Sequence, residues 1–145
     1  MQICAYLTFS GNCRKALEFY KNCLGGRLRF QTVAQQAGTD EMPAKMKKAV
    51  LHATLTKGNW VLMGSDMVSE EGLQRGNAVS LLLACSSEKE IRACYKKLAR
   101  GGVPTHPLQK NFFGALFGSL TDRFGNQWLL HYQTSKKHPP RKKAI

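Results

Sequence analysis

Apolar and polar positions along this chain follow two periods, and the periods recur in the same order in each half. Between Asn12 and the pair Gly25-Gly26, the positions Cys13, Ala16, Leu17, Tyr20, Cys23 and Leu24 keep the three-four spacing of one buried helical face. Asn12 is placed to cap that helix and the glycines to end it. A second helix is predicted from Ser87, where Glu90 three residues on makes a capping box. There Ile91, Cys94, Tyr95, Leu98 and Ala99 repeat the spacing up to Gly101-Gly102.

Each helix is preceded by a strand-like segment, CAYLTF in one half and AVSLLLAC in the other, and followed by further strand-like runs. The stretches AVLHATL-TKGN-WVLMGS and GALFGSL-TDRFGN-QWLLHY both read as two strands joined by a glycine-containing turn. Each half therefore predicts the order β-α-β-β-β. Two copies are too few for a stacked solenoid, so the repeat indicates a duplicated half-barrel module. The expected fold class is α+β, with two βαβββ modules forming curved mixed sheets around a cleft. Two polar segments interrupt the scheme: Gln35 to Lys48 reads as a lid, and Ser65 to Asn77 as the link between modules.

A chain of 145 residues with 43% hydrophobic content can bury a proper core. The first residues lack a basic n-region and a long apolar h-region, and the longest apolar run, near VSLLLAC, is too short to cross a bilayer, so a cytoplasmic protein is expected with no membrane partner. Five cysteines, an odd number without CxxC spacing, argue against a disulfide framework and a zinc cage. The formal charge of +13 suits anionic partners. Five of its positives, Lys136, Lys137, Arg141, Lys142 and Lys143, sit in residues 135–145, which read as a basic solvated tail. Neither a phosphate loop nor HExxH nor GxSxG is present. The Gly-Gly pairs end helices rather than open them, which supports neither a nucleotide-binding fold nor a methyltransferase.

Taken together, YLTFSGNCRKALEFYKNCLGG in the first half, HATL in the middle and TDRFGNQW near the end closely resemble the PhnB-like branch of the vicinal oxygen chelate superfamily. That superfamily includes glyoxalase I, bleomycin-resistance proteins and ring-cleaving dioxygenases. The resemblance spans roughly residues 2 to 133. It implies one glyoxalase-like domain over 1–134, made of modules at about 1–66 and 76–134, and commonly a homodimer. Members with enzyme activity hold a divalent metal on the concave sheet face through His, Gln or Glu, and the matching positions here fall at Ala5, Met63, Ser80 and Leu129. A methyl, a thioether, a hydroxyl and an isobutyl group do not make such a site. No metal and no other cofactor is expected.

If Leu129 faces the concave side, alternation puts Gln127 and His131 beside it and sends Trp128, Leu130 and Tyr132 to the other face. The expected ligand-binding lining is then Ala5, Leu7, Phe9, Met63, Ser80, Leu82, Gln127, Leu129 and His131, apolar with a few hydrogen-bonding groups. His52 and His131 are the candidates for general-base work. Asp122 is expected to accept backbone N–H bonds within its turn. Cys13 sits at a helix start beside Arg14 and Lys15, which favours the thiolate, but its periodicity points to burial. The expected function is metal-independent binding of a small molecule of anionic or aromatic character. The alternatives are a lyase, isomerase or dioxygenase of the same superfamily and, more weakly, a nucleic-acid-associated basic protein.

Overall fold

A computed structural model describes residues 1–35 and 44–133 of the chain. It divides into two compact units, Met1–Arg75 and Gly76–Ile145. The first contains β1 (Ala5–Thr8), α1 (Cys13–Leu24), β2 (Arg27–Thr32), a 3-10 turn at Val33–Gln35, the short α2 (Ala44–Lys47), β3 (Val50–Lys57) and β4 (Trp60–Ser65). The second contains β5 (Leu81–Ala84), α3 (Glu88–Leu98), β6 (Val103–Lys110), β7 (Ala115–Thr121) and β8 (Gln127–Gln133). Both units have the βαβββ order that the repeat predicts. Most of the expected lid and all of the expected tail fall outside the described residues.

The two sheets have the same topology, β1-β4-β3-β2 and β5-β8-β7-β6. The first strand of each unit pairs in parallel with the last, and the other pairings are antiparallel. Both are mixed sheets, and each carries its long helix on one face. In the first unit, Cys13, Ala16, Leu17, Tyr20 and Cys23 of α1 are buried against β2, β3 and β4. Burying side chains such as Leu17 and Tyr20 stabilises the unit by roughly 1.5–3 kcal/mol each. In the second, Ile91 and Leu98 of α3 are buried, as are Leu116 and Leu120 of β7 and Trp128 and Leu130 of β8. Pro104 and Pro107 are tolerated in β6 because it is an edge strand.

The helix starts differ from one another in a way the sequence does not display. Ser87 accepts from the Glu90 N–H at 3.0 Å, as a capping box requires, while the Glu90 carboxylate turns to the Ser86 hydroxyl at 2.7 Å. Asn12 makes no side-chain cap. The start of α1 is instead closed by Asp66, whose Oδ1 accepts from the N–H groups of Gly11 at 2.9 Å and Cys13 at 3.0 Å. Its Oδ2 accepts from the Val50 N–H at 2.9 Å. One buried carboxylate thus ties the helix entry, more than fifty residues before it in the chain, to the start of β3. Residues expected to form a link are therefore partly core: Ser65 and Asp66 are buried, and Arg75 folds back to donate to the Thr8 carbonyl at 3.1 Å.

In the turn before β8, Asp122 accepts from Phe124 N–H at 2.8 Å, Asn126 N–H at 3.1 Å and the Trp128 indole N–H at 2.8 Å. The structural role expected of Asp122 is what its contacts show.

Candidate functional site

Strand register sorts the residues of each sheet into a helix-covered face and an open face. Gly64 marks the covered face of the first unit, because a Cβ there would stand 3.2 Å from both Leu17 of α1 and the Phe9 ring. Leu7 pairs with Gly64, and Ala5 with Leu62, so both share that covered face. Phe9 is wholly buried beside them, with the Arg75 guanidinium 5.1 Å from its ring centre. The expected lining is corrected at these three positions: Ala5, Leu7 and Phe9 belong to the helix side. The physical reason is a register error of one residue in β1, which sends a whole strand's pattern to the opposite face.

The open face of the first unit carries Tyr6 instead. Its row across the sheet is Tyr6, Met63, Thr54 and Arg29, residues that pair in turn from β1 to β2. His52 lies on the same face, stacked on Tyr6 with ring centres 5.7 Å apart and its Nδ1 3.2 Å from the Tyr6 hydroxyl. Tyr6 remains half exposed. Arg27 and Arg29 stand exposed along the edge strand β2.

The second unit repeats the arrangement with different chemistry. Gly118 and its partner Leu130 lie on the α3 side, since a Cβ on Gly118 would meet Tyr95 at 3.1 Å. Gln127, Leu129 and His131 alternate onto the open face, and Trp128 and Leu130 onto the covered one, as alternation predicts. The open row equivalent to Tyr6-Met63-Thr54-Arg29 is Leu82, Leu129, Ser119 and His106. Leu82 is 63% exposed, a large apolar side chain on the sheet face away from α3. Phe117 pairs with His131 beside that row. Ser80 precedes β5 and is exposed. His52 and His131, the two candidate bases, stand in separate units, each on its own open face.

With β1 in its observed register, the first-strand and last-strand positions on the open faces are Tyr6 and Met63 in one unit, Leu82 and Leu129 in the other. A phenol, a thioether and two isobutyl groups do not fit a hard divalent ion. Among the described residues, no three His, Cys, Asp or Glu side chains converge in a way that could hold a metal. Two shallow hollows lie elsewhere in the first unit. One, of about 390 Å³, is bounded by Thr8 and the segment Met67 to Gln74, and the other, of about 480 Å³, by Glu18, Lys21, Asn22, Leu28 and Phe30. Neither includes a candidate base.

The residues that sequence reasoning missed are Tyr6, Thr54, Arg29, Thr105, His106 and Ser119. A signal for Thr54 and Arg29 was available, because they occupy the polar phase of longer strands, whereas Tyr6 lies in a strand too short to fix a phase. No comparable signal marks Thr105 and His106, which sit in an irregular strand.

Cys13 is fully buried and carries no sign of activation. Burial, reinforced by the Asp66 carboxylate and only partly opposed by Arg14, pushes its thiol up to about 12. This outweighs the helix start. A folded-state value above the unfolded one stabilises the fold fully below about pH 9, and the contribution is lost as pH rises from there toward about 12. Native protein at pH 8 is expected to leave Cys13 unalkylated by iodoacetamide, with modification only after denaturant is added. Peptide mapping that found Cys13 modified in the native state would contradict this.

Two βαβββ units, each with one sheet face that its own helix leaves uncovered, define a protein of glyoxalase-like fold. A family profile described as 3-demethylubiquinone-9 3-methyltransferase matches residues 1–131, and the chain belongs to that family, the PhnB-like branch of the vicinal oxygen chelate superfamily. The chain is 34% identical to protein PA1353 from Pseudomonas aeruginosa, covering 92% of this chain and 98% of that one, with a TM-score of 0.81. It is 28% identical to the PhnB protein from Bacillus cereus, covering 91% and 99%, with a TM-score of 0.70. The fold is also that of a glyoxalase-related enzyme from Fulvimarina pelagi, at 18% identity, 91% and 88% coverage and a TM-score of 0.59. No helix among the described residues is long and apolar enough to cross a membrane.

Proposed function

We propose that this protein binds a small organic molecule on its open sheet faces without the help of a metal ion. The observation that carries the reading is the pair of equivalent open rows, Tyr6-Met63-Thr54-Arg29 and Leu82-Leu129-Ser119-His106, each running from apolar to polar. A largely apolar surface with a few placed polar groups is the usual composition of a ligand site. Of the positions from which metal-dependent relatives would supply ligands, only Tyr6 offers an oxygen, while Met63, Leu82 and Leu129 offer none, too few to hold a hard cation. The exposed apolar residues Tyr6, Leu82 and Phe117 also support a homodimer that covers part of these faces. Methyl transfer is not part of this reading, because the glycine pairs at Gly25 and Gly101 follow helices rather than open them.

One observation favours a second reading, an enzyme of the same superfamily: His52 is held by Tyr6 on an open face, where a substrate proton would be within reach of an imidazole.

Thermal-shift screening against Mg²⁺, Mn²⁺, Ni²⁺ and Zn²⁺ and a panel of small aromatic and anionic compounds separates the cases. Stabilisation by organic compounds and none by metals is expected. Stabilisation by one metal with reproducible bound stoichiometry would sink the metal-free part, and turnover of a bound compound that is lost in His52→Gln would establish the second reading.

A further inference from the structure

The polar end of the second unit's open row is built around a distortion of β6. In a regular strand Thr105 and His106 would point to opposite faces. The register of β6 against β7 shifts on both sides of His106, and both side chains reach the same partner. The Ser119 hydroxyl is 2.9 Å from Thr105 Oγ1 and 2.9 Å from His106 Nδ1.

The backbone beneath this cluster is held from the helix side. The Tyr95 hydroxyl of α3 lies 2.9 Å from the His106 carbonyl and 2.9 Å from the Ser119 carbonyl, and donates to them. Burial raises the Tyr95 pKa, so the phenol stays a donor. Gly118 permits this close approach: a Cβ there would stand 2.8 Å from Leu108 Cδ2, 3.1 Å from the His106 carbonyl oxygen and 3.1 Å from the Tyr95 ring.

The three side-chain groups form one hydrogen-bonded chain. With Thr105 donating to Ser119 and Ser119 donating to His106 Nδ1, the neutral imidazole carries its proton on Nε2; in a doubly protonated ring Nδ1–H donates to Ser119 instead, and Nε2–H is presented as well. In either case the chain ends in a donor on the exposed side of the sheet. Beside it in the same row lie Leu129 and the bare Leu82, with Phe117 adjacent.

We infer that Thr105, His106 and Ser119 form a head-group site for a flat apolar molecule bearing a carboxylate. The acceptor oxygen meets His106, and the apolar body lies across Leu129 and Leu82. The chain's positive charge favours such an anion over a neutral ligand of the same shape. Successive strands lie about 4.8 Å apart, so the row from His106 to Leu82 spans about 14 Å, the length of a two-ring aromatic acid with room at one end. The inference rests on the small-molecule reading above and specifies the chemistry one unit selects.

The test uses the full chain with 2-naphthoate as the probe and 2-methylnaphthalene as the same ring without the acid. Amide chemical-shift mapping on the unaltered protein is expected to show 2-naphthoate perturbing His106, Ser119, Leu129 and Leu82. The affinity for 2-naphthoate is expected to fall about tenfold in His106→Gln, the loss of one hydrogen bond to a charged group. The exposed Lys96→Ala serves as the control and is expected to change it less than twofold. Binding of 2-naphthoate with shifts confined to the first unit, or undiminished in His106→Gln, would overturn the head-group site and leave small-molecule binding intact. Equal affinity for 2-methylnaphthalene would overturn the role of the carboxylate. If neither probe binds and the wider compound screen is also silent, both this inference and the binding reading fail.

Discussion

Replacing Asp66 with Ala is expected to destabilise the first unit by roughly 3–5 kcal/mol, because three N–H groups lose a charged acceptor at once. Those of Gly11, Cys13 and Val50 all point at this carboxylate, and its 9% exposure leaves water poor access to replace it. Asp66→Asn retains one acceptor oxygen and turns an amide N–H₂ toward a remaining donor, so about half that loss is expected. The measurement is urea unfolding followed by residue-resolved hydrogen exchange. Amides of α1 and β3 should lose protection first, while those of α3 and β7 stay protected. A loss below about 1 kcal/mol for the Ala variant would show that the helix entry is closed by something else.

Gly102→Ala should be as damaging for a different reason. A Cβ at that position would stand 2.2 Å from the Thr121 carbonyl oxygen and 2.8 Å from the Asp122 carbonyl carbon, both backbone atoms that no side-chain rotation can move aside. Overpacking against a fixed backbone is expected to cost roughly 3 kcal/mol or more, with the exit of α3 forced away from the β7–β8 turn. Gly101→Ala next to it provides the comparison. There the nearest atoms belong to the flexible Arg123 side chain, and the main cost is the positive φ of 74°, about 1 kcal/mol. Thermal melts compare the two directly, at roughly 2–4 °C per kcal/mol for a chain near this length. Equal melting temperatures for both variants would remove the close-approach explanation.

The module order was readable because it rests on local patterns. The three-four spacing of Cys13 to Leu24 and of Ile91 to Ala99 appears as α1 and α3, and the two hairpin stretches appear as β3-β4 and β7-β8. The alternation of β8 was equally readable, since Gln127 to Gln133 is a regular strand with Trp128 and Leu130 anchoring one face. Asp122 could be assigned to its turn because its backbone partners lie two and four residues away.

The short β1 was not readable in the same way. Ala5, Tyr6, Leu7, Thr8 and Phe9 give too few alternations to fix a phase, and the resemblance used to choose one placed Ala5 on the wrong face. Which face each residue takes depends on the parallel pairing with β4, a partner more than fifty residues away. The capping of α1 has the same character, since Asn12 is the locally correct residue yet Asp66 supplies the bond.

Periodicity, turn chemistry and the internal repeat were therefore sufficient for the two βαβββ units and for the strand phase where strands are long. The contents of the open faces required the folded chain. Tyr6 beside His52, and Thr105 with His106 on one Ser119, are contacts across strands, and their register is set by side-chain packing and a bulge rather than by spacing along the sequence. Local order is encoded within a few residues, whereas a site is made where distant segments meet.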